Sequence, residues 1–297
     1  MFKNPLSPQP TDDGAFGPSK LALRMATADV TDYEKVDYGN ADTGDHLKIL
    51  MICTEERNMT MANGKKFSTG NHPVEMLVPM MHLTEAGFDI DVVTPTGAPV
   101  EIEMWAMPEN DNAVMTFYSS FKEKFDNPGS VAEFASEHLS DTSPYVAVFL
   151  PGGHGAMLGL PENEDVGKII RWCHGRDLHM LALCHGPAAL LAANLPDPAD
   201  PSASTTTGGA FVYGGYKIAA FPDKVDRQTP RIGYMPGHLP WHFGEKLEAI
   251  GVEIVNSKAD DSCHIDRKLV SGASPKAANN FGQMAARALL DHGKQAE

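Results

Sequence analysis

From residue 47 onward, short apolar runs alternate with amphipathic stretches. The run at 47–54, LKILMICT, is bounded by polar residues and is typical of a strand buried on both faces. The next stretch, 72–88, has apolar positions at helical spacing and ends near a glycine that suits a C-terminal cap. The same pattern predicts further strands at 89–97, 145–153, 178–184, 215–221, 252–256 and 267–274, and helices at 165–177, 186–195, 241–251 and 275–293.

This alternation predicts the fold class and the domain organisation. Apolar strands separated by helices favour an α/β fold with a doubly wound, mostly parallel sheet and helices on both faces. We expect 46–297 to form one core domain with two insertions: a small helical lid at 101–143 and a mobile loop at 196–215. Residues 1–45 lack periodicity and are expected to form a partly irregular N-terminal arm.

Composition and charge narrow the functional classes. The net charge of −15 over 297 residues argues against nucleic acids and anionic membrane surfaces as partners. No apolar stretch is long enough to span a bilayer, and the N-terminus lacks the apolar region of a signal peptide, so we expect a cytoplasmic protein. The cysteines should then be free thiols, and none has a C-x-x-C neighbour, which argues against a zinc knuckle. They are Cys53, Cys173, Cys184 and Cys263.

The stretch LALCHG, residues 181–186, is the strongest candidate for chemistry. A strand followed by Cys184 and then by a helix resembles a nucleophile elbow at the carboxyl edge of a parallel sheet. The helix N-terminus should favour the thiolate, and His185 could exchange protons with the sulfur or the substrate. The alternative is an inert, buried cysteine at a strand end. The strand–turn–helix context favours the nucleophile.

Two other sites could support that cysteine. Gly152 and Gly153, in LPGGHG, would let backbone N–H groups turn toward a ligand as an oxyanion site requires, or would simply end a strand. Glu75 begins a predicted helix, where a surface carboxylate is favoured by the helix dipole. If Glu75 instead faces the cysteine, burial would make it a proton donor.

The remaining candidates are an aspartate and a histidine pair. Asp223 or Asp226 could orient the imidazole of His185 as the third member of a triad. The spacing does not choose between them, and it also allows both to be solvated acids of a loop. His238 and His242 have the i,i+4 spacing of zinc ligands. A proline lies between them and no H-E-x-x-H glutamate is present, which argues against a metal site.

Several motifs, in order over roughly residues 45–293, resemble the heat-shock protein 31 type of the PfpI/ThiJ superfamily: FSTGNHPVE, WAMP, LPGGHGA, LCHGPAA, AFPDKVDRQTP and IGYMPGHLPW. The resemblance implies a flavodoxin-like sandwich with a small accessory segment, usually a homodimer. It implies that Cys184 is the nucleophile, His185 and Asp226 complete a triad, and Glu75 hydrogen-bonds the cysteine. Gly153 and the His185 backbone match the oxyanion donors.

One departure concerns a metal site. Members of this branch from bacteria carry ligands in a His-Leu-His-Ala-Ala-Gly-Phe-Glu stretch and at a more distant histidine. Here the stretch reads HLTEAGFD, so Thr84 and Asp89 replace two ligands, and the distant position falls near Phe121. A single carboxylate is a poor zinc site, so we predict that this metal site is absent or weakened and that no cofactor is required. The 196–215 loop is also longer than the family's link.

The resemblance implies an enzyme for reactive dicarbonyls. Cys184 would convert methylglyoxal to lactate without glutathione, or deglycate methylglyoxal-modified Cys, Lys and Arg side chains, alongside holdase binding of unfolded polypeptides. One alternative is a chaperone without catalysis, if the Met-rich stretches 76–81 and 104–115 are exposed. Another is a cysteine peptidase or amidase, whose large substrates a lid at 101–143 would restrict.

Overall fold

The computed structural model describes residues 4–39, 47–197, 202 and 204–293. The strands are β1 (Gln9–Pro10), β2 (Phe16–Gly17), β3 (Lys48–Ile52), β4 (Asn58–Thr60), β5 (Lys66–Ser68), β6 (Asp89–Thr94), β7 (Gly129–Ser130), β8 (Tyr145–Leu150), β9 (His179–Leu183), β10 (Lys217–Ile218), β11 (Glu253–Ile254), β12 (Cys263–Asp266) and β13 (Leu269–Gly272). The α-helices are α1 (Lys20–Ala26), α2 (Pro73–Glu85), α3 (Asn112–Asp126), α4 (Val131–Glu137), α5 (Glu164–Gly175), α6 (Asp223–Asp226), α7 (Phe243–Ala249) and α8 (Ala278–Gly293).

Seven strands form the central sheet, in the order β12-β13-β9-β8-β3-β6-β7. Neighbours from β13 to β7 run parallel, and β12 pairs antiparallel with β13 at one edge. Parallel neighbours require crossover connections, and helices cover both faces of the sheet. The predicted α/β fold with a doubly wound, mostly parallel sheet is therefore confirmed. None of the described helices is long and apolar enough to cross a bilayer.

The central strand β3 shows why its sequence is a continuous apolar run. Ile49 and Met51 belong to the core that includes residues of α2 and α8. Leu50 and Ile52 point the other way, into the core with α5 and the segment after β9. Side chains of a strand alternate between faces, so a strand covered on both sides is apolar at every position.

Some predicted elements take a different form. The stretches 215–221 and 252–256 contain only the two-residue strands β10 and β11, which pair in parallel with each other in a separate sheet. They pair with each other and do not extend the central sheet. The helix predicted at 186–195 is a 3₁₀ helix over Gly186–Asn194. A four-stranded sheet, β1-β2-β5-β4, was not predicted, because its strands are too short to show a period.

The insertion at 101–143 is helical, and its role as a lid stays a prediction. Helix α3 packs on α2 and β6, α4 packs on α5, and β7 extends the sheet edge beside β6. The buried side chains of α3, Val114 and Phe125, join the core on the α2 side of the sheet. Because these apolar side chains are buried there, α3 packs against α2 and β6. Part of the 196–215 loop, residues 198–201 and 203, lies outside the described residues.

The described part of the N-terminal arm docks closely on the core. Strand β2 pairs with β5, and Ser19 caps α1 by accepting the N–H of Ala22 at 3.1 Å. The Ser19 hydroxyl also donates to the carbonyl of Ile232 at 3.1 Å, and its N–H donates to Gly233 at 2.8 Å. These bonds bring the end of α1 to the carboxyl edge of the central sheet.

Candidate active site

Cys184 directly follows β9 and has a φ of 59°, a left-handed conformation that side-chain-bearing residues rarely adopt. Its N–H donates to the carbonyl of Gly272 on β13 at 2.8 Å, and its carbonyl accepts the N–H of Phe221 at 3.0 Å. The backbone is thus held on both sides in a sparsely populated conformation, as occurs at functional sites. With the 3₁₀ helix beginning at Gly186, this is the strand–turn–helix elbow that the sequence predicts.

The structure brings Cys184, His185 and Asp226 together. The Cys184 Sγ lies 3.3 Å from His185 Nδ1, and His185 Nε2 lies 2.9 Å from Asp226 Oδ2. The alternative aspartate, Asp223, instead accepts the backbone N–H groups at the start of α7, at 3.1 and 2.8 Å. Asp223 is therefore a helix cap.

The aspartate and the histidine are held in complementary protonation states. Burial and the neighbouring His154 lower the pKa of His185, despite the opposing effect of Asp226. Burial alone would raise the pKa of Asp226, but His185 and His154 hold it well below its usual range. The site therefore favours an ionised Asp226 beside a neutral His185, in which Nε2 donates to the carboxylate and Nδ1 can accept a proton.

The surroundings of Cys184 oppose the thiolate that the helix N-terminus is expected to favour. Burial raises the pKa of the thiol well above its usual value, and the neighbouring Glu75 and Asp226 side chains add to the rise. The backbone N–H of His185 opposes the rise but does not cancel it. Sequence alone shows the helix N-terminus that would favour a thiolate, but not the burial and the two acidic side chains that oppose it.

Glu75 lies in the first turn of α2 and is fully buried. Burial raises its pKa to about 8, although the Cys184 thiol and the N–H of Gly153 oppose the rise. Neither carboxyl oxygen makes a hydrogen bond of standard geometry. At neutral pH, Glu75 is therefore a protonated acid beside the sulfur, and the alternative of an exposed surface carboxylate is excluded.

The two glycines after β8 leave room for these groups. A Cβ at Gly152 would lie 2.0 Å from Glu75 Oε2 and 2.7 Å from the Cβ of Cys184. Gly153 has a φ of 102°, and a Cβ there would lie 2.4 Å from the carbonyl oxygen of Gly70. Any other residue at either position would displace the acid or the turn. The oxyanion role of this turn stays a prediction.

Sequence reasoning missed four polar residues that line the same cavity, which has a volume of about 230 Å³: His72, Glu103, His154 and Tyr234. His154 Nε2 lies 3.0 Å from Asp226 Oδ1. Burial raises the pKa of Glu103 to about 7 and lowers that of His72 to about 3. A signal for His154 was available, because it follows a Gly-Gly turn at the end of β8, the strand beside β9.

The N-terminal arm forms part of the cavity mouth. Met25 and Ala26, at the end of α1, line the cavity together with Lys276. Met25 is 62% exposed, whereas Cys184 at the other end is only 3% exposed. The sulfur therefore lies at the bottom of a narrow site whose rim is apolar with one cation.

The positions that depart from the family's metal site do not fit a zinc ion. The Thr84 hydroxyl donates to the carbonyl of Met80 at 2.7 Å, and the Phe121 ring stacks on Phe117. Asp89 is exposed at the start of β6. These residues offer one carboxylate, whereas zinc sites are built from three or four nitrogen, sulfur or oxygen ligands.

A different group has metal-like spacing. The ligand atoms of His154, His185 and Asp226 lie within 4.8 Å of one another. These atoms already hydrogen-bond each other, so their spacing is explained without an ion. In the described part of the chain, His238 and His242 join no such group. All four cysteines are free, as predicted.

Comparison with known proteins identifies relatives of this chain. Residues 67–200 match the model of the DJ-1/PfpI family. The chain is 46% identical over 279 residues to the protein/nucleic acid deglycase HchA of Escherichia coli O157:H7, covering 94% of this chain and 93% of that protein. It has the same identity and coverage with protein/nucleic acid deglycase 1 of Escherichia coli strain K12.

Solved structures share the fold at lower identity. Glyoxalase III from Candida albicans superimposes with a TM-score of 0.61 at 22% identity, covering 82% of this chain and 98% of that chain. The Rapid Encystment Protein of Francisella tularensis gives a TM-score of 0.63 at 20% identity, covering 82% of this chain and 99% of that chain. At these identities, the comparison supports the architecture alone.

Proposed function

The chain belongs to the DJ-1/PfpI family, and from that premise we propose that it converts methylglyoxal to lactate without glutathione and removes methylglyoxal adducts from side chains. One observation carries the proposal: the Cys184 sulfur lies 3.3 Å from a neutral His185 and beside the buried acid Glu75. The curated relatives at 46% identity are named deglycases. The cavity of about 230 Å³ is smaller than the roughly 300–1,000 Å³ of drug-sized sites, which favours a small substrate.

The first step is addition of the thiol to the aldehyde. Cys184 Sγ forms a bond to the aldehyde carbon as its proton passes to His185 Nδ1, and Asp226 stabilises the resulting imidazolium. The carbonyl oxygen then takes that proton and becomes the hydroxyl of a hemithioacetal. Because burial raises the pKa of the thiol, we expect this transfer to accompany the attack.

The second step moves a hydrogen between the two substrate carbons. Neutral His185 removes the proton from the carbon bonded to sulfur, while Glu75 protonates the neighbouring ketone oxygen, giving an enediol. The imidazolium then protonates the second carbon, and the Glu75 carboxylate takes back a proton from the first hydroxyl. The product is a lactoyl thioester, formed by isomerisation without any oxidant. Water then adds to the thioester carbon and releases lactate and the thiol.

Deglycation uses the same steps from a different start. In an adduct on lysine, the first substrate carbon carries a hydroxyl and the side-chain nitrogen. The bond from Cys184 Sγ to that carbon forms as the carbon–nitrogen bond breaks, and the nitrogen leaves with the thiol proton. The mouth beside Met25 and Lys276 offers the side where the carrier side chain would enter.

The test of this function is lactate formation from methylglyoxal without glutathione. We expect Cys184→Ala to lose at least about 10³-fold in kcat/KM, because the covalent steps are removed. Cys263→Ala, at the half-buried cysteine of β12, is the matched control and should retain activity. Full activity of Cys184→Ala would contradict the mechanism. Deglycation is tested on a preformed lysine adduct: the enzyme must outpace spontaneous release of methylglyoxal from it.

Holdase binding of unfolded polypeptides is a second candidate, supported by apolar side chains exposed on the arm. Leu21, Met25 and Val30 are among the exposed large hydrophobic residues. The Met-rich stretch 76–81, by contrast, is buried in the core and offers no exposed surface for binding. We expect Met25→Glu to weaken suppression of client aggregation and Cys184→Ala to leave it intact. The homodimer implied by the resemblance is likewise a proposal, tested by light scattering.

A further inference from the structure

Two imidazoles share the single carboxylate of Asp226. His154 Nε2 lies 3.0 Å from Oδ1, and His185 Nε2 lies 2.9 Å from Oδ2. The two ring centroids are 4.0 Å apart, and both histidines are buried, at 3% and 1% exposure. Two positive charges at this separation repel each other strongly away from water, so the pair resists taking up a second proton.

The surroundings of His154 differ from those of its partner. Burial works against its charged form, but Asp226 and Glu103 outweigh burial and raise its pKa. His72, at the N-cap of α2, and the Tyr234 ring also lie close, with the Tyr234 centroid 5.9 Å away. Its ring additionally meets Phe67 edge-on at 5.7 Å. The acids nearest His154 therefore come from two separate segments of the chain.

His185 lacks a second acid of that kind. Its ring stacks on Phe221 at 4.7 Å and packs on Phe243, and the Cys184 sulfur lies at its Nδ1. Asp223 adds only a weak attraction from the start of α6. The first proton bound by the pair therefore goes to His154.

We propose that His154 is a positioning residue for the reaction of Cys184: it holds the first proton of the two-histidine pair on Asp226 and so keeps His185 neutral. This inference rests on the proposed function of Cys184 for its effect on turnover. A neutral His185 can accept the thiol proton, whereas a protonated one cannot. Without the charge on His154, His185 would bind the first proton. The pKa of His185 would then be higher, and the neutral form that accepts the thiol proton would be present only at higher pH.

The test replaces His154 by a neutral donor. Glutamine at 154 can still offer an amide N–H to Asp226 but carries no charge. We expect His154→Gln to move the acidic limb of the kcat/KM profile upward by on the order of one pH unit. An acidic limb at the wild-type pH would overturn the proposal.

Two further variants separate charge from packing. His154→Phe keeps a ring among Phe67 and Tyr234 but removes the hydrogen-bond donor to Asp226. At pH values above the acidic limb, its kcat/KM should therefore be lower than that of His154→Gln. His174→Gln is the matched control. This half-buried histidine of α5 lies 3.1 Å from the Tyr216 hydroxyl and does not line the cavity, so its limb should stay at the wild-type pH. If His154→Phe does not fold, the comparison of His154→Gln with His174→Gln still decides.

A second readout does not depend on turnover. In protein labelled with ¹⁵N-histidine, the His185 resonance, assigned by its loss in His185→Gln, should titrate at higher pH in His154→Gln than in wild type. An unchanged midpoint overturns the inference whatever the activity. A shifted midpoint in a protein inactive toward methylglyoxal supports the inference and refutes the proposed function instead.

Discussion

Glu75 and Asp226 are both buried near the Cys184 sulfur, yet Glu75 is protonated and neutral whereas Asp226 is ionised. Glu75 has no hydrogen-bond partner of standard geometry, and burial raises its pKa to about 8. Asp226 has an imidazole on each oxygen, and these imidazoles keep its pKa well below the usual range. Burial alone therefore does not decide whether a buried carboxyl group keeps its proton; its hydrogen-bond and charge partners do.

This division gives one site both an acid and an anion. A protonated Glu75 can deliver a proton to a substrate oxygen, and an ionised Asp226 can orient and stabilise the imidazolium of His185. Two carboxyl groups with the same charge state could not serve both roles. Variants that remove the proton of Glu75 or the charge of Asp226 therefore test whether the two groups have different roles.

The largest effect is expected at Asp226. Asp226→Asn keeps the shape of the side chain but removes the charge and one acceptor, so His185 should lose its orientation and its stabilised imidazolium. We expect kcat/KM for methylglyoxal to fall by about 10³-fold. Asp223→Asn, which affects only the cap of α7, should cost no more than a few fold. Equal losses in the two variants would mean that the pairing with His185 has no special role.

The next effect is on stability and concerns Glu75. Its pKa is raised from the ordinary value of 4.5 to about 8, so between these pH values the folded state binds more protons than the unfolded chain. Stability from this group is therefore full below about pH 4.5 and is lost as pH rises toward 8. At about 1.4 kcal/mol per pH unit, the loss is a few kcal/mol.

Urea unfolding at pH 5.5 and pH 8.5 measures this loss. Wild type should lose more stability between the two pH values than Glu75→Gln. Glu103, with its pKa raised to about 7, adds a loss of the same sign in both proteins, and Asp226 acts at lower pH. Identical pH dependence in wild type and variant would show that Glu75 is already ionised at neutral pH.

The smallest effect comes from crowding Glu75. A methyl group at Gly152 would overlap the Glu75 carboxyl group and the Cys184 side chain, so Gly152→Ala should destabilise the fold by about 1–3 kcal/mol. Gly175→Ala, at the end of α5, is the matched control, because no atom lies within 4 Å of the added carbon. Thermal unfolding of both variants checks this. A stable, active Gly152→Ala would show that the acid can move aside freely.

The sequence predicts the central sheet well and its borders poorly. The doubly buried strand β3 is recognisable as a short, continuous apolar run. The helices α2, α5 and α8 are recognisable because the apolar positions of each face one core. The position of 101–143 could not be predicted, because it depends on which distant surface buries Val114 and Phe125. Strands of two residues, such as β10 and β11, are too short to show any period.

Some features of the candidate site are likewise predictable from the sequence and others are not. The Cys184 elbow is visible because strand, cysteine and helix are contiguous. Asp226 is 41 residues from His185, so only the resemblance selected it over Asp223. The charge state of Glu75 and the role of His154 depend on burial and on contacts across the fold, and neither is encoded locally.

Infrared difference spectroscopy at pH 6 measures whether Glu75 is protonated while Asp226 is ionised. We expect wild type minus Glu75→Gln to show the carbonyl stretch of a protonated carboxylic acid. Wild type minus Asp226→Asn should show carboxylate bands alone. The Glu75 band should disappear as the pH is raised above about 8. Carboxylate bands for Glu75 at pH 6, or a protonated-acid band for Asp226, would contradict the account.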